Sequence, residues 1–234
     1  MKYIIYLISI LVLAFAGIFF FVSIDNQAKT DSIERLYFQE KILCMQAANG
    51  LEEYFKYYKQ LLVFLGQNEA IARNTSDGQQ LLKNLYNAQS ETILSITRVD
   101  SNMRIVYTYP EEHSIGKDVS SQSHIKLAFR TQQPVLSNIF MSVQGFKTIA
   151  LHVPVFDKGK YSGTLAVLFS FSELSKRYLE KIAIGKNGYA VMINQDGLQL
   201  YSPVSANIGK SMYELLHGNR PIAEMTDRMR AGQE

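Results

Sequence analysis

The chain has 234 residues, 47% hydrophobic and 19% charged, a balance that suits one or two globular modules with a true core. Its net charge of +3 is small and no run of Lys or Arg stands out, which argues against a nucleic-acid partner. The single cysteine, Cys44, excludes an internal disulfide and a cysteine-based zinc site.

Residues 3–24 carry no charge and at ~1.5 Å per residue would span roughly 33 Å, enough for a bilayer core. The run stays bulky to its end and lacks a small-residue cleavage context, so it reads as an uncleaved anchor rather than a signal peptide. Lys2 favours a cytoplasmic start, although Lys29, Arg35 and Lys41 follow the run. The bulk of the chain is therefore placed outside the cytoplasm, on the periplasmic side of an inner membrane.

From about 24 to 66 there is no Pro and only Gly50 interrupts before Gly66. Ile33, Tyr37, Glu40, Cys44, Ala47, Leu51, Tyr54, Tyr58, Leu61 and Leu65 alternate four and three apart, a 3.5-residue stripe on one long helix. That stripe suits either a parallel homodimer or packing on the chain's own sheet. The membrane-proximal half has nothing local to pack on, which favours a dimer there. Ser76 or Asp77 can cap a second helix to about 89.

Strand candidates follow at 92–99, 104–109, 135–140, 146–156 and 161–171, with turns at Asp100 to Asn102 and Asp157 to Gly159. The long stretch 111–133 predicts a short helix at 124–130 beside a lid-like loop. Ser172 is expected to cap a linking helix over 173–182, followed by a turn at Gly185 to Gly188. Along 147–153, Ile149, Leu151 and Val153 share one face, while Thr148, Ala150 and His152 share the other. A bulky face fit for a helix and a small, polar-dotted face result. The second suits a pocket floor or, alternatively, a solvent-facing side.

An internal repeat stands out: Pro110, Ile115, Gly116 and Lys117 recur at the same spacing as Pro203, Ile208, Gly209 and Lys210. Each copy follows a turn and a short apolar run, so one supersecondary unit is used twice. The first copy needs strands to about 171 to complete its module. The second is expected to lack the matching strands within this chain, leaving 186–234 poorly stable.

The strand-turn-strand ending in Tyr109 and Pro110, then Ile115 to Asp118, Pro134, the strand ending in Pro154, Tyr161 to Gly163, and Gly185, Gly188 and Tyr189 together resemble the double Cache sensor region, the PAS-like extracytoplasmic fold of bacterial receptors. The resemblance implies an α+β fold. An N-terminal transmembrane helix (1–24) continues into a long helix and second helix (25–90). A membrane-distal Cache module of antiparallel sheet follows (91–175), then a linker and an incomplete membrane-proximal module (176–234). It also implies a small-molecule ligand in the distal module, and an output domain of histidine-kinase, chemoreceptor or cyclic-dinucleotide type. Amino-acid-binding members carry an Arg-x-Trp-Tyr stretch on the pocket helix. Here the corresponding place spans Ser120 to Lys126 and the chain has no Trp.

Candidate ligand-binding residues are His124, Ser123 and Gln122 on the serine-rich loop, Gln144 in a closing turn, Lys147, Thr148 and His152 on the strand, and Tyr109. Imidazole, hydroxyl and amide groups of this kind can hold an organic acid or similar polar molecule. Plain surface or core roles compete at each position. No Gly-x-Ser-x-Gly elbow or His-Glu-x-x-His run occurs, and His113, His124, His152 and His217 lack ligand spacing, so neither catalysis, metal nor cofactor is expected. A membrane-anchored hydrolase using His124 or His152, or a structural surface domain, are the competing classes.

Overall fold

The structure, a computed structural model, describes residues 2–184, 188–215 and 220–233. Residues 185–187 of the expected turn, and His217, lie outside the described residues. So do the side chains at 2–5, 7–12, 14 and 184. The chain divides into two compact units, 1–46 and 47–234.

Helix α1 (Lys2–Gly66) is a single continuous element. In the first unit most of its described apolar side chains are exposed, among them Phe19, Phe20, Phe21, Ile33 and Tyr37, while Leu43 is half-buried. Among the described residues no helix is long and apolar enough to cross a membrane.

In the second unit α1 supplies Leu51, Tyr58 and Leu62 to the main core. This settles the stripe for that half of the helix: Leu51 and Tyr58 pack on the chain's own sheet. A short helix α2 (Glu69–Ala72), which the sequence did not suggest, is capped by Asn68. Helix α3 (Ser76–Gln89) is capped by Thr75, one residue ahead of the expected cap. The sheet comprises β1 (Ile93–Val99), β2 (Ile105–Tyr109), β3 (Val135–Leu136), β4 (Phe140–Met141), β5 (Lys147–Asp157) and β6 (Lys160–Phe169). Its order is β2-β1-β6-β5-β3, with β4 also pairing β5, and every pairing is antiparallel.

The bulky face carries Leu151, Val153, Val155, Leu165, Val167 and Phe169 against α1, α2 and α3. At roughly 1.5–3 kcal/mol per fully buried side chain, this face is the main stabilising surface of the unit.

Two expected elements differ, each for a local reason. The strand at 135–140 is broken into β3 and β4. The Ser137 hydroxyl accepts the Ala150 N–H at 2.8 Å, replacing a backbone acceptor in the ladder, and the chain bends away before Phe140 pairs with Thr148. The linking helix α5 (Phe171–Tyr178) is capped by Ser170 rather than Ser172, because β6 already ends at Phe169. The Ser170 N–H closes on the Thr92 carbonyl at 3.1 Å. Its hydroxyl accepts the Glu173 N–H at 3.2 Å.

Arg98 sits on the bulky face, 2% exposed. Its guanidinium donates to the carbonyls of Ile71 (3.3 Å), Ala72 (3.0 Å) and Ser162 (3.0 Å), with Val99 and Thr164 carbonyls beside it. It thus ties the C-terminal end of α2, where orphan carbonyls and the helix dipole favour a cation, to the β6 edge. Burial pushes its pKa down to about 10, which leaves it charged near neutrality. Gly163 makes this approach possible: at φ +118° a Cβ would stand 2.0 Å from the Val99 carbonyl oxygen.

The sequence repeat is a structural repeat. After α5 come β7 (Ala183–Ile184) paired with β8 (Gly188–Tyr189), and β9 (Met192–Ile193) paired with β10 (Gln199–Tyr201). Then follow α6 (Met212–Leu215) and α7 (Arg220–Arg230). In the first copy, the Asp100 carboxylate accepts the Asn102 and Arg104 N–H groups. In the second, Asn194 accepts those of Asp196 and Leu198. Gly116 N–H donates to Ile105 at 2.7 Å, and Gly209 N–H to Gln199 at 2.8 Å. The two glycines have φ of 86° and 85°, the left-handed region where a side chain is disfavoured. The shared Gly-Lys pair is thus a backbone corner.

Candidate functional site

The second sheet face is lined by small and polar groups, and its burial excludes the solvent-facing alternative. Ser95, Thr97 and Thr108 form a closed hydroxyl triangle with edges of 3.2, 2.9 and 3.0 Å, all buried. Beside it lie Ala150, Ala166 and His152, which is 3% exposed. The roof over this floor is α4 (Ser123–Thr131), preceded by Val119 and Gln122, and joined by the turn 142–146. Val119 is held there because its N–H donates to Met103, the outcome of the corner at Gly116. Lys117 braces the turn through the Val143 carbonyl at 3.0 Å.

Between roof and floor is a cavity of about 20 Å³ lined by Thr97, Gln122, Val143, Gln144 and His152 among apolar neighbours. That volume suits about one water, so the walls are drawn together. Of the sequence-selected residues, Gln122, Gln144 and His152 meet here. Ser123 and His124 line a separate cavity of about 370 Å³ with Val135 to Phe140 and Gln195. Lys147 is exposed and borders a third, of about 390 Å³, with Asn138 to Met141, Asp196 and Leu198. Thr148 is fully buried, its hydroxyl against the Ile149 (3.1 Å) and Phe169 (3.0 Å) carbonyls, and lines none of the three. Tyr109 lies on the opposite face, edge-on to Tyr86 at 5.1 Å, with the Lys83 ammonium over its ring. The hydroxyl triangle was missed. The alternation Ser95-x-Thr97 inside an apolar strand was the signal for it.

His124 is 8% exposed. Its ring lies 4.2 Å from that of Phe140 and 5.2 Å from that of His152. His152 Nδ1 is 3.2 Å from the Thr164 hydroxyl, and His124 Nε2 is buried without a hydrogen-bond partner. Burial pushes the His124 pKa down to about 4. Burial and then the neighbouring His124 push His152 down to about 3, so both rings are neutral at pH 7. Among the described residues, no group of three or more His, Cys, Asp or Glu side chains could hold a metal ion.

The model of the HK/GC/chemotaxis protein-like sensor domain matches residues 68–170. An extracellular ligand binding receptor from Desulfohalobium retbaense is 27% identical with a TM-score of 0.61. The match covers 76% of this chain and 33% of that one, so the chain spans about a third of that receptor's length. The ligand-binding domain of the Pseudomonas aeruginosa amino acid chemoreceptor PctC, in complex with GABA, is 16% identical with a TM-score of 0.62, over 78% of this chain and 82% of that one. That of the Pseudomonas fluorescens chemoreceptor CtaA, in complex with L-serine, is 18% identical with a TM-score of 0.61, over 75% of each chain. No curated protein matches the chain. Residues 68–170, which hold α2, α3, the six-stranded sheet and the α4 roof, are therefore the part of the chain that is similar to the HK/GC/chemotaxis protein-like sensor domain, and the fold is that of the ligand-binding domains named above.

Proposed function

We propose that this chain is the extracytoplasmic sensing region of a transmembrane signal-transduction receptor. In this reading residues 3–24 anchor it in the inner membrane, and the module built on β1–β6 takes a small polar ligand on the periplasmic side. The observation that carries this is the small cavity between a polar, buried floor and a roof of α4 and the 142–146 turn. Gln122, Gln144, Thr97 and His152 supply donors and acceptors there without a cation. An organic acid or similar metabolite would be held by neutral N–H and O–H groups, with the turn moving outward to admit it. The ligands in the PctC and CtaA complexes are of comparable size and polarity. A ligand at a hundredfold excess over Kd stabilises the folded state by about 2.7 kcal/mol. A thermal-shift screen of organic acids, amines and amino acids is expected to find a stabiliser, weakened at least tenfold by Gln122→Ala and Gln144→Ala. A broad screen without any stabiliser would favour a structural role instead.

The exposed first half of the long-helix stripe, Ile33 and Tyr37 with Leu36 beside them, supports self-association there as a parallel homodimer. The second copy of the repeat is read as the start of a membrane-proximal module. Its strands are two or three residues long and pair only in twos, and few of its described side chains are buried. Regions with few buried apolar contacts open first. Limited proteolysis is expected to cut beyond α5 before it cuts within 92–171. A first cut inside 92–171 with the tail protected would refute this division.

A further inference from the structure

Two buried imidazoles face each other between the α4 roof and the sheet floor of the sensor module. His124 belongs to α4, and His152 to the central part of β5. Their rings are 5.2 Å apart, with Phe140 closing one side at 4.2 Å from His124. We propose that this pair makes the module a proton sensor: in acid the two rings acquire charge together with release of α4 from the sheet.

The surroundings set the sign. The charged side chains of α4 are Lys126 and Arg130, both exposed. Those of β5 are exposed Lys147 and half-buried Asp157, the latter engaged by Arg73; the neighbouring end of β6 offers Lys160. Strands β3 and β4 and the linking residues 137–139 contribute no charge, and Gln195, beside His124, is neutral. From the roof turn the nearest cation is Lys117, on the Val143 carbonyl. The one charge that acts appreciably on His152 is His124, and on His124 only burial acts. Asp196, next to Gln195, is exposed and borders the neighbouring cavity past Phe140; among the described residues no carboxylate is paired with either ring, and two protonated rings would repel.

The closed state holds His124 neutral down to about pH 4, whereas a ring freed into water titrates near 6.5. A depressed folded-state pKa means that closure is fully favoured above the free value. It is lost as pH falls from there toward the folded value, because the open form binds the extra proton. The cavity of about 370 Å³ beside His124 gives the proton a route inward. By the same linkage, His124 alone shifts the open-to-closed ratio roughly thirtyfold between pH 7.5 and 5. The inference rests on the sensor reading only for its biological meaning.

The test is amide hydrogen exchange of the full chain in detergent at pH 7.5 and 5, with rates corrected for intrinsic chemistry. Opening of α4 is expected to rise at least tenfold at pH 5, while β1 and β6 keep their protection. His124→Phe, which preserves a ring against Phe140, should remove most of that response. An NMR titration of the wild-type imidazoles should show both moving together with α4 amides. Three results would each overturn the proposal: α4 exchange that is pH-independent, an undiminished response in His124→Phe, or equal loss of protection in β1 and β6. A chain that binds a small molecule yet shows no such response would leave the sensor reading intact and remove this one.

Discussion

Replacing Leu51 and Tyr58 together by Glu is expected to unfold the sensor module rather than to separate two copies of the chain. Leu51 is 7% exposed and Tyr58 1%, both within the main core. Tyr58 contacts the Phe169 ring at 5.0 Å and donates its hydroxyl to Gln89 at 3.0 Å. A carboxylate placed in that apolar core is desolvated, and burying an unpaired charge costs several kcal/mol. Two such replacements plus the lost apolar contacts exceed about 5 kcal/mol, which matches the whole stability of a marginal domain. Circular dichroism should show loss of cooperative melting, and far-UV signal from the sheet should fall. A double variant that melts cooperatively within a few degrees of wild type would mean that this half of α1 does not cover the sheet. By contrast, Ile33→Glu with Tyr37→Glu, at side chains exposed in the single chain, should leave cooperative melting of the module intact and weaken self-association instead.

Arg98→Met is the second substitution with a large expected effect. Methionine retains apolar bulk but removes every donor, so the carbonyls of Ile71, Ala72 and Ser162 lose their charge-assisted bonds, Ile71 keeping only the Asn74 N–H. The Ser162 hydroxyl, 2.7 Å from the guanidinium and 3.1 Å from the Ala72 carbonyl, keeps one contact. An unsatisfied buried acceptor costs about 1–3 kcal/mol, giving a loss of about 3 kcal/mol. For a chain of this size that lowers Tm by roughly 10 °C. Arg98→Lys should recover only part of it, since an ammonium cannot span three carbonyls in the guanidinium's fork. A loss below 1 kcal/mol for Arg98→Met would show that α2 does not depend on this clamp.

Much of this architecture was legible in the residues alone, for stated reasons. The alternation along β5 and β6 assigns Leu151, Val153, Leu165 and Val167 to one face and Ala150, His152 and Thr164 to the other, because side chains alternate along any strand. The Asx turns at Asp100 and Asn194 and the glycine corners at 116 and 209 announce themselves because few residues satisfy those backbone geometries. The resemblance to a sensor domain follows from the order of these signals.

The tertiary structure decided what local pattern cannot. The 3.5-residue stripe of α1 satisfies a partner helix and a sheet equally well, and only the fold shows Leu51 and Tyr58 on the sheet. Arg98 reads as an ordinary charged strand residue until α2, a four-residue helix too short to show periodicity, presents its carbonyls. The strand break at Ser137 depends on a hydroxyl meeting an amide thirteen residues away. The candidate site shows the same division. Gln122, Gln144 and His152 converge on one cavity, while Lys147 and Tyr109, of equally suitable chemistry, lie elsewhere. Chemical type is a property of the residue. Convergence depends on strand register and on which helix covers which face, and these arise from contacts distant in sequence.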